Sequence, residues 1–427
     1  MDIGKYESKL QRLCLSCDAF TTGYLVMCLL FFVPYAASFT GPTVIWFIPV
    51  SCLLPFALFP LFYAVIHKYD CLLFGRYHLA LPVSAFVAAL FFVLAWSPCG
   101  GATSRSLAVF FGSLFFVSAI SVYRYCAFSV RARLAGGGIV STTPLYEGLC
   151  ALGAVAAVVA FWCFSAYGDG DTAYVDTAYV LGGVSVIFAF VQYLATHYGI
   201  PRLGGRKRQR TVAEVFRAFY GGLNKKVYFS ALLFETAFAC LSALIVYFAF
   251  MSGEGLFNTA VIVAVLVGVY AVCALSCTRI VKRRTIMLSA AECVCASAAC
   301  VILVVAAAVA PSGRALTACL VLSAIFTGAG GAMAVRQTKL RFLTIKSRIT
   351  VGTVFILLEL TMLAAAAIAF TVAAVVATAV SATGSLTSFI YGFAAAAVFA
   401  VVALSLAGRS SGANADDGEA DKVTDAA

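Results

Sequence analysis

The sequence predicts an all-α polytopic membrane protein with twelve transmembrane helices in two six-helix halves. Of its 427 residues 63% are hydrophobic and 11% charged, and the mean hydropathy is +1.02; a soluble chain would be near one-quarter charged. Apolar runs of about 18 residues or more recur throughout, long enough to cross about 30 Å of hydrocarbon as helix. Lipid offers the backbone no hydrogen-bond partners, so these runs must be helical.

Six spans precede and six follow a polar segment in the middle of the chain. The first six are predicted at about 18–39, 43–66, 79–97, 106–126, 145–167 and 177–199. The second six are predicted at about 227–251, 256–277, 286–310, 314–335, 349–375 and 385–407. The residues before the first span carry mixed charge and no cleavage site follows it, which favours a retained helix over a signal peptide.

The polar segment Pro201 to Lys226 holds eight of the 29 Lys and Arg residues, a density that excludes it from lipid. The predicted domains are therefore an N-terminal bundle over 1–200, a basic linker over 201–226 and a C-terminal bundle over 227–408. Residues 409–427 are acidic, small and without aromatics, a composition typical of a disordered tail.

Loop charge predicts the orientation. With the N-terminus in the cytoplasm, only Arg105 and Arg314 of the 29 basic residues fall in outside loops, which leaves 27 inside. Both termini are therefore expected in the cytoplasm of a multi-pass protein of the cell (plasma or inner) membrane. The net charge of +11 has the same origin, and without a soluble domain nucleic acid is not expected as a partner.

Cofactors and metals are not expected. Most of the 16 cysteines lie in apolar runs, where a thiol behaves as a small hydrophobe. The pair Cys14 and Cys17, and the group Cys293, Cys295 and Cys300, have no second pair or histidine at ligand spacing. The three histidines are not spaced for metal and there is no phosphate-binding loop, so the chain is not expected to be an enzyme.

The two halves share a pattern of charged residues in their sequences. Ser129-Val-Arg131-Ala-Arg133 follows the fourth span, and Thr344-Ile-Lys346-Ser-Arg348 follows the tenth. The next span in each half carries one glutamate, Glu147 or Glu359. A parallel repeat of this kind places a solute site between the halves, near the midplane, in many secondary transporters.

Six plus six spans, a basic central segment and arginine-containing loops resemble the major facilitator superfamily. Phe74-Gly75-Arg76-Tyr77-His78 is similar to the turn between spans two and three of its glycoside–pentoside–hexuronide cation symporters, and Cys17-Asp18-Ala19-Phe20 is similar to their entry into span one. The resemblance implies alternating access around a cavity lined by spans one, four, seven and ten. It also implies a small polar solute, with a sugar as first candidate, and H+ or Na+ as coupling ion.

The sequence departs from that branch at two places. The branch carries acidic cation ligands in span two, whereas residues 43–66 contain no Asp or Glu. The superfamily signature after span two has Asp, Gly and Arg at tighter spacing than Asp70, Gly75 and Arg76. The absence of acidic residues from the second span favours the alternative, a membrane sensor or scaffold on the same fold that transports nothing.

Ionisable groups inside spans are the candidate functional residues, because burying them in a membrane is costly. Glu235 and Glu359 lie deep in their predicted spans without an Arg or Lys there, so each is expected to be protonated or to face water. They are the candidates for solute or ion binding, with Asp18 as a weaker one. The competing interpretation is a neutral acid bonded to a neighbouring helix.

The remaining polar candidates have structural interpretations of their own. Glu147 is expected to cap span five, Asp18 to cap span one and Glu292 to form an ion pair with the cytoplasmic loop before it. Arg124 and Arg76 are candidate gate or loop residues that pair with carboxylates and phospholipid, with snorkelling to the membrane surface as the alternative. Asp70 and Gly75 complete the gate and loop candidates.

Overall fold

The computed structural model describes residues 3–39, 42–58, 61, 79–97, 100–135, 139–167, 170–199, 225–253, 255–276, 285–309, 313–343 and 351–413. In these ranges the backbone is helical apart from short turns. Ten helices are long and apolar enough to cross a membrane, and two shorter apolar helices accompany them. Together they account for the twelve predicted spans.

The N-terminal half contains six helices. They are α1 (Ile3–Phe39), α2 (residues 47–58, entered through the 3₁₀ turn Pro42–Trp46), α3 (Ala80–Trp96), α4 (Ala102–Ala135), α5 (Ile139–Tyr167) and α6 (Gly170–Gly199). The C-terminal half contains α7 (Lys225–Met251), α8 (Gly255–Ser276), α9 (Thr285–Val309), α10 (Arg314–Leu343), α11 (Val351–Thr383) and α12 (Phe389–Ala413). Residues 201–224 of the central segment and 414–427 of the tail lie outside the described ranges.

Both halves are built from the same helix pairings. In the first half α1 packs on α5 and α6, and α3 packs on α4 and α6. In the second half α7 packs on α11 and α12, and α9 packs on α10 and α12, which is the same set six helices later. The parallel repeat expected from the loops is therefore present in the packing.

Helix crossings and aromatic clusters hold each half together. At the crossing of α1 and α5, Gly23 lies directly against the backbone of Cys150, and Gly153 lies against that of Phe20; small residues at such crossings allow the backbones to approach. In the first half the ring of Trp96 lies 4.3 Å from that of Phe92, between centroids. Many buried hydroxyls bond the carbonyl four residues earlier, as Thr21 does to Cys17 at 2.9 Å, so they are satisfied within their own helix.

The halves meet along α5 with α8, α4 with α11, α1 with α7, and the 3₁₀ turn with α11. We call one end of the bundle the basic end: there α1, α5, α7 and α11 begin and α4, α8 and α10 end, close to Arg12, Arg131, Arg133, Lys225, Lys339 and Arg341. At the opposite end Trp46 Nε1 donates a hydrogen bond to Thr378 Oγ1 at 3.2 Å. A polar contact thus joins the halves at the end opposite the basic end.

Candidate functional site

A buried ion pair crosses between the halves. Arg124, on α4, has its Nε 3.3 Å from Oε2 of Glu359, on α11. The guanidinium also donates from Nη2 to the sulfur of Met362 at 2.7 Å, one turn further along α11. Arg124 is 9% exposed and Glu359 is 2% exposed. Because both charges are removed from solvent, each stabilises the other, and separating the halves here requires both to find new partners.

This pair changes the interpretation of Glu359 and decides between the two interpretations of Arg124. Glu359 was expected to be neutral or to face water because its span has no cation, but its partner lies on another helix in the other half. Arg124 does not snorkel to a surface, since it is buried and turned towards α11. The pair lies nearer the basic end than the opposite end, eleven residues before α4 ends and eight residues after α11 begins.

Asp18 is the centre of a second polar group, on the N-terminal half. It is 1% exposed, and Thr22 Oγ1 lies 3.5 Å from its Oδ1. The hydroxyl of Tyr123 donates to Gln192 Oε1 at 3.1 Å and lies within reach of Thr21. The charges of Asp18 and Arg124 also act on each other. Helices α1, α4 and α6 therefore bring a carboxylate, hydroxyls and an amide to one buried place beside the ion pair.

Glu235 and Glu147 approach a common tyrosine. Glu235 on α7 is 9% exposed and Glu147 on α5 is 1% exposed. Both carboxylates act electrostatically on the hydroxyl of Tyr270, on α8. Arg124 acts on the same hydroxyl, so Tyr270 connects the acid of the second half with the charges at the half–half interface.

Two expected helix caps are wrong. Helix α5 begins at Ile139, so Glu147 lies two turns inside it, and helix α1 begins at Ile3, so Asp18 lies far inside as well. The apolar runs start later than the helices do, because both helices continue with polar residues beyond the predicted spans. As caps these carboxylates would reach solvent; instead both are buried.

The remaining candidates have mixed placements. Glu292 is fully buried on α9, seven residues after the helix begins, and the loop residues proposed as its partners lie outside the described ranges. Asp70, Gly75 and Arg76 also lie outside them. The structure therefore places Asp18, Arg124, Glu147, Glu235 and Glu359 in or next to the interface.

Several polar residues at this level were not singled out from the sequence. Arg336 on α10 is 6% exposed, and its neighbour Gln337 donates from Nε2 to Ser289 Oγ at 3.0 Å. The spacing of charges in the sequence could have indicated Arg336. Glu147 follows Arg124 by 23 residues, and Glu359 follows Arg336 by the same 23 residues. An arginine on the fourth helix and a glutamate on the fifth thus occur in both halves.

Comparison with known proteins identifies the architecture. No protein-family model and no curated protein matches the chain significantly. Solved structures do match over nearly the whole length. The nucleoside transporter NupG, in a mutant form, aligns with a TM-score of 0.66 at 14% identity, over 94% of this chain and 98% of that one.

Two other transporters align comparably. The major facilitator superfamily proton:xylose symporter XylE, bound to 6-bromo-6-deoxy-D-glucose, gives a TM-score of 0.63 at 11% identity over 94% of this chain and 95% of its own. FucP, in the outward conformation, gives 0.58 at 12% identity over 93% and 97%. The chain has the fold of the major facilitator superfamily.

Proposed function

We propose that the protein is a secondary transporter that moves a small polar solute by alternating access. The observation that carries the proposal is the buried Arg124–Glu359 pair between the two halves. A permanent interface would be more stable with apolar residues, since burying an ion pair seldom gains free energy over well-packed hydrophobic side chains. A pair that can be hydrated when the halves part suits an interface that opens and closes.

The basic end is proposed to face the cytoplasm, following the excess of Arg and Lys in the loops there. The N-terminal half, residues 1–200, then moves against the C-terminal half, residues 227–408. The segments 201–226 and 409–427 are proposed as a cytoplasmic linker and a disordered tail. Movement of one half against the other about a site at their interface is the usual mechanism in repeats of this kind.

The solute is proposed to be a sugar or a sugar-containing molecule such as a nucleoside. Structural relatives include transporters for xylose and for nucleosides, molecules that share hydroxyl groups on a ring. The buried group around Asp18 offers donors and acceptors that suit such hydroxyls, including the hydrogen-bonded Tyr123 and Gln192. Ligand sites generally use a small number of placed polar groups, amides and carboxylates among them, to fix the orientation of the ligand.

We propose that solute movement is coupled to protons that bind Glu235. Glu359 responds to the same cycle of opening and closing through its ion pair with Arg124. Glu235 is buried on α7 and its carboxylate acts electrostatically on the hydroxyl of Tyr270 on α8, the helix that packs on α5 of the other half. The second predicted span, residues 43–66, contains no acidic cation ligand. A proton requires a single carboxylate, whereas Na+ needs several oxygen ligands.

Uptake into proteoliposomes tests this proposal. The panel contains xylose, other pentoses, hexoses and a nucleoside. Each solute is tested with an inward proton gradient, with an inward sodium gradient and with neither. Wild type is compared with Glu235→Gln, Glu359→Gln and, as control, Asp176→Asn, an exposed acid on α6. We expect proton-driven accumulation by wild type and by the control.

The two glutamate variants are expected to differ from each other. Glu235→Gln should lose accumulation but keep solute exchange across the membrane, because exchange needs binding and movement without net proton transfer. Glu359→Gln should alter both accumulation and exchange. Unchanged accumulation in Glu235→Gln would remove that residue from the mechanism. Absence of any uptake or exchange from folded wild type would replace the transporter with the sensor or scaffold.

A further inference from the structure

We infer that the hydroxyl of Thr327, on α10, lines a space inside the bundle and forms a hydrogen bond with a ring hydroxyl of the solute. The inference rests on the proposed function, which supplies the solute. It adds a solute contact in the C-terminal half, at an uncharged residue that the sequence did not single out.

Thr327 differs from the other buried hydroxyl residues of the described ranges. Its side chain is 1% exposed, and it is the one serine or threonine there whose buried hydroxyl has no hydrogen-bond partner. A helical threonine usually bonds the carbonyl four residues earlier, as Thr361 does to Leu357 at 2.7 Å. Burying a hydroxyl without a partner costs free energy, so such a group indicates a position where a ligand supplies the bond.

The side chain of Thr327 points away from lipid. Ile325, two residues earlier, is 37% exposed and marks the outer face of α10, so Thr327 lies on the opposite side of the helix. Gly331 follows one turn later on the same side as Thr327. A Cβ added there would lie 3.8 Å from the Cβ of Phe238 on α7 and 3.9 Å from the ring of Tyr270 on α8. Thr327 therefore faces the place where α7, α8 and α10 meet.

Two residues at that place border an accessible space inside the protein. Tyr270 is partly exposed, yet it lies two residues before Val272, which is 64% exposed, and so it points to the inner side of α8. Glu235 lies on a stripe of α7 whose other members, Ala239 and Ser242, are partly exposed. Because α7 packs on α1, α8, α9, α10, α11 and α12, this stripe borders the inside of the bundle.

The Thr327 hydroxyl and the proposed coupling acid lie at different depths. Helices α7 and α10 run in opposite directions, and Gly331 is level with Phe238. Thr327 lies four residues from Gly331, towards the end opposite the basic end. Glu235 lies three residues from Phe238, towards the basic end, so about 10 Å of helix rise separates it from Thr327. Solute binding at Thr327 and proton binding at Glu235 are therefore separable by mutation.

The chemistry of this place suits a neutral polar group. A threonine hydroxyl donates one hydrogen bond and accepts others, as a hydroxyl on a sugar ring does, and the phenol of Tyr270 has the same capacity. A site built to bond a hydroxyl rejects an analogue that lacks it, because the buried partner is then left without a bond. Thr327 is therefore expected to distinguish a solute from one of its deoxy analogues.

Solute affinity of the full-length protein in proteoliposomes tests the inference. The probes are xylose, uridine and their monodeoxy analogues, and affinity is taken from the concentration that half-saturates exchange. Thr327→Val keeps the shape of the side chain without its hydroxyl and should weaken affinity about three- to tenfold, whereas Thr327→Ser should retain it. Ser323→Ala is the matched control on α10, because the buried Ser323 hydroxyl already bonds the carbonyl of Cys319 at 2.8 Å. The control should bind the probes as wild type does.

The deoxy analogues assign the contact to one hydroxyl of the solute. In wild type, one analogue should bind about three- to tenfold more weakly than its parent. In Thr327→Val, that analogue and its parent should bind equally, because the bond by which they differ is gone. The pH dependence of accumulation should stay as in wild type, since Glu235 is intact. If Thr327→Val binds every probe as tightly as wild type, the inference is wrong.

Chemical labelling tests the position of Thr327 without a solute. In proteoliposomes, Thr327→Cys should react with a positively charged methanethiosulfonate added on both sides, as mass spectrometry of the peptide that contains residue 327 would show. Ala329→Cys, which faces lipid on the other side of α10, should not react. Exchange by wild type without labelling at residue 327 would overturn the inference and keep the transporter. A folded wild type that exchanges no probe would discard the proposed function, and the solute contact with it.

Discussion

Replacing Gly23 by alanine should loosen the N-terminal half, because Gly23 sits where α1 crosses α5. A Cβ at this position would overlap the carbonyl oxygen of Cys150 and lie 2.6 Å from its carbonyl carbon. Ordinary contact begins near 3.4 Å, so the helices must separate by at least 0.8 Å to clear the carbonyl carbon, and by more to clear the oxygen. The obstacle is backbone, which cannot rotate away as a side chain can.

The size of the effect follows from two opposing contributions. Overpacking of a tight contact costs up to about 3 kcal/mol, and a backbone obstacle belongs at that upper end. Alanine is the better helix former by about 1 kcal/mol. The expected net loss in the free energy of unfolding is therefore about 2 kcal/mol.

A series of glycine variants provides the matched controls. Gly268→Ala meets nothing within 4 Å, so only the helix-propensity gain remains and the protein should be unchanged or slightly stabilised. Gly153→Ala is intermediate, since its Cβ would lie 2.9 Å from the carbonyl oxygen of Phe20. From most to least stable, the expected order of the variants is Gly268→Ala, Gly153→Ala and Gly23→Ala.

Unfolding by SDS titration, followed by tryptophan fluorescence, measures this order. The apparent melting temperature at a single scan rate is a second readout, since thermal unfolding of such proteins is often irreversible. If Gly23→Ala is as stable as Gly268→Ala, the close crossing of α1 and α5 does not exist as described, and the position of Asp18 on α1 relative to α5 must be revised.

Two further variants test single hydrogen bonds. Tyr123→Phe deprives Gln192 of a buried donor and should cost about 1–2 kcal/mol in the same titration, whereas Tyr391→Phe, 78% exposed, should cost nothing measurable; equal stability of the two would contradict the Tyr123 bond. Thr378→Val removes the acceptor of Trp46 at the end opposite the basic end, and exchange there should rise about threefold, equivalent to somewhat under 1 kcal/mol, with the basic end unaffected. A rise at the basic end instead would show that the two ends are not independent.

The fold was predictable because its main determinant, the length of apolar runs, is local. The basic loops located the repeat for the same reason, since charge cannot remain in lipid whatever the tertiary structure. Helix ends were less predictable. Helices α1 and α5 extend beyond the apolar runs, which moved Asp18 and Glu147 from the expected caps into helix interiors.

The partners of buried charges could not be predicted from neighbouring residues. Arg124 and Glu359 lie in different halves, and nothing within either span indicates the other residue. The regular spacing of Arg and Glu in the two halves was the one sequence signal for a relation between them. It becomes interpretable only when the packing shows which helices of the two halves meet.

The contacts at the two ends differ in how they respond to water. At one end, the bond from Trp46 to Thr378 joins residues that are at least partly accessible, so water can replace it with little loss. Towards the basic end, parting the halves would expose the charges of Arg124 and Glu359, which the interface buries. Under the proposed mechanism the empty protein therefore rests mainly with its binding site open at the end opposite the basic end, and the binding of solute has to supply the free energy that opens the basic end.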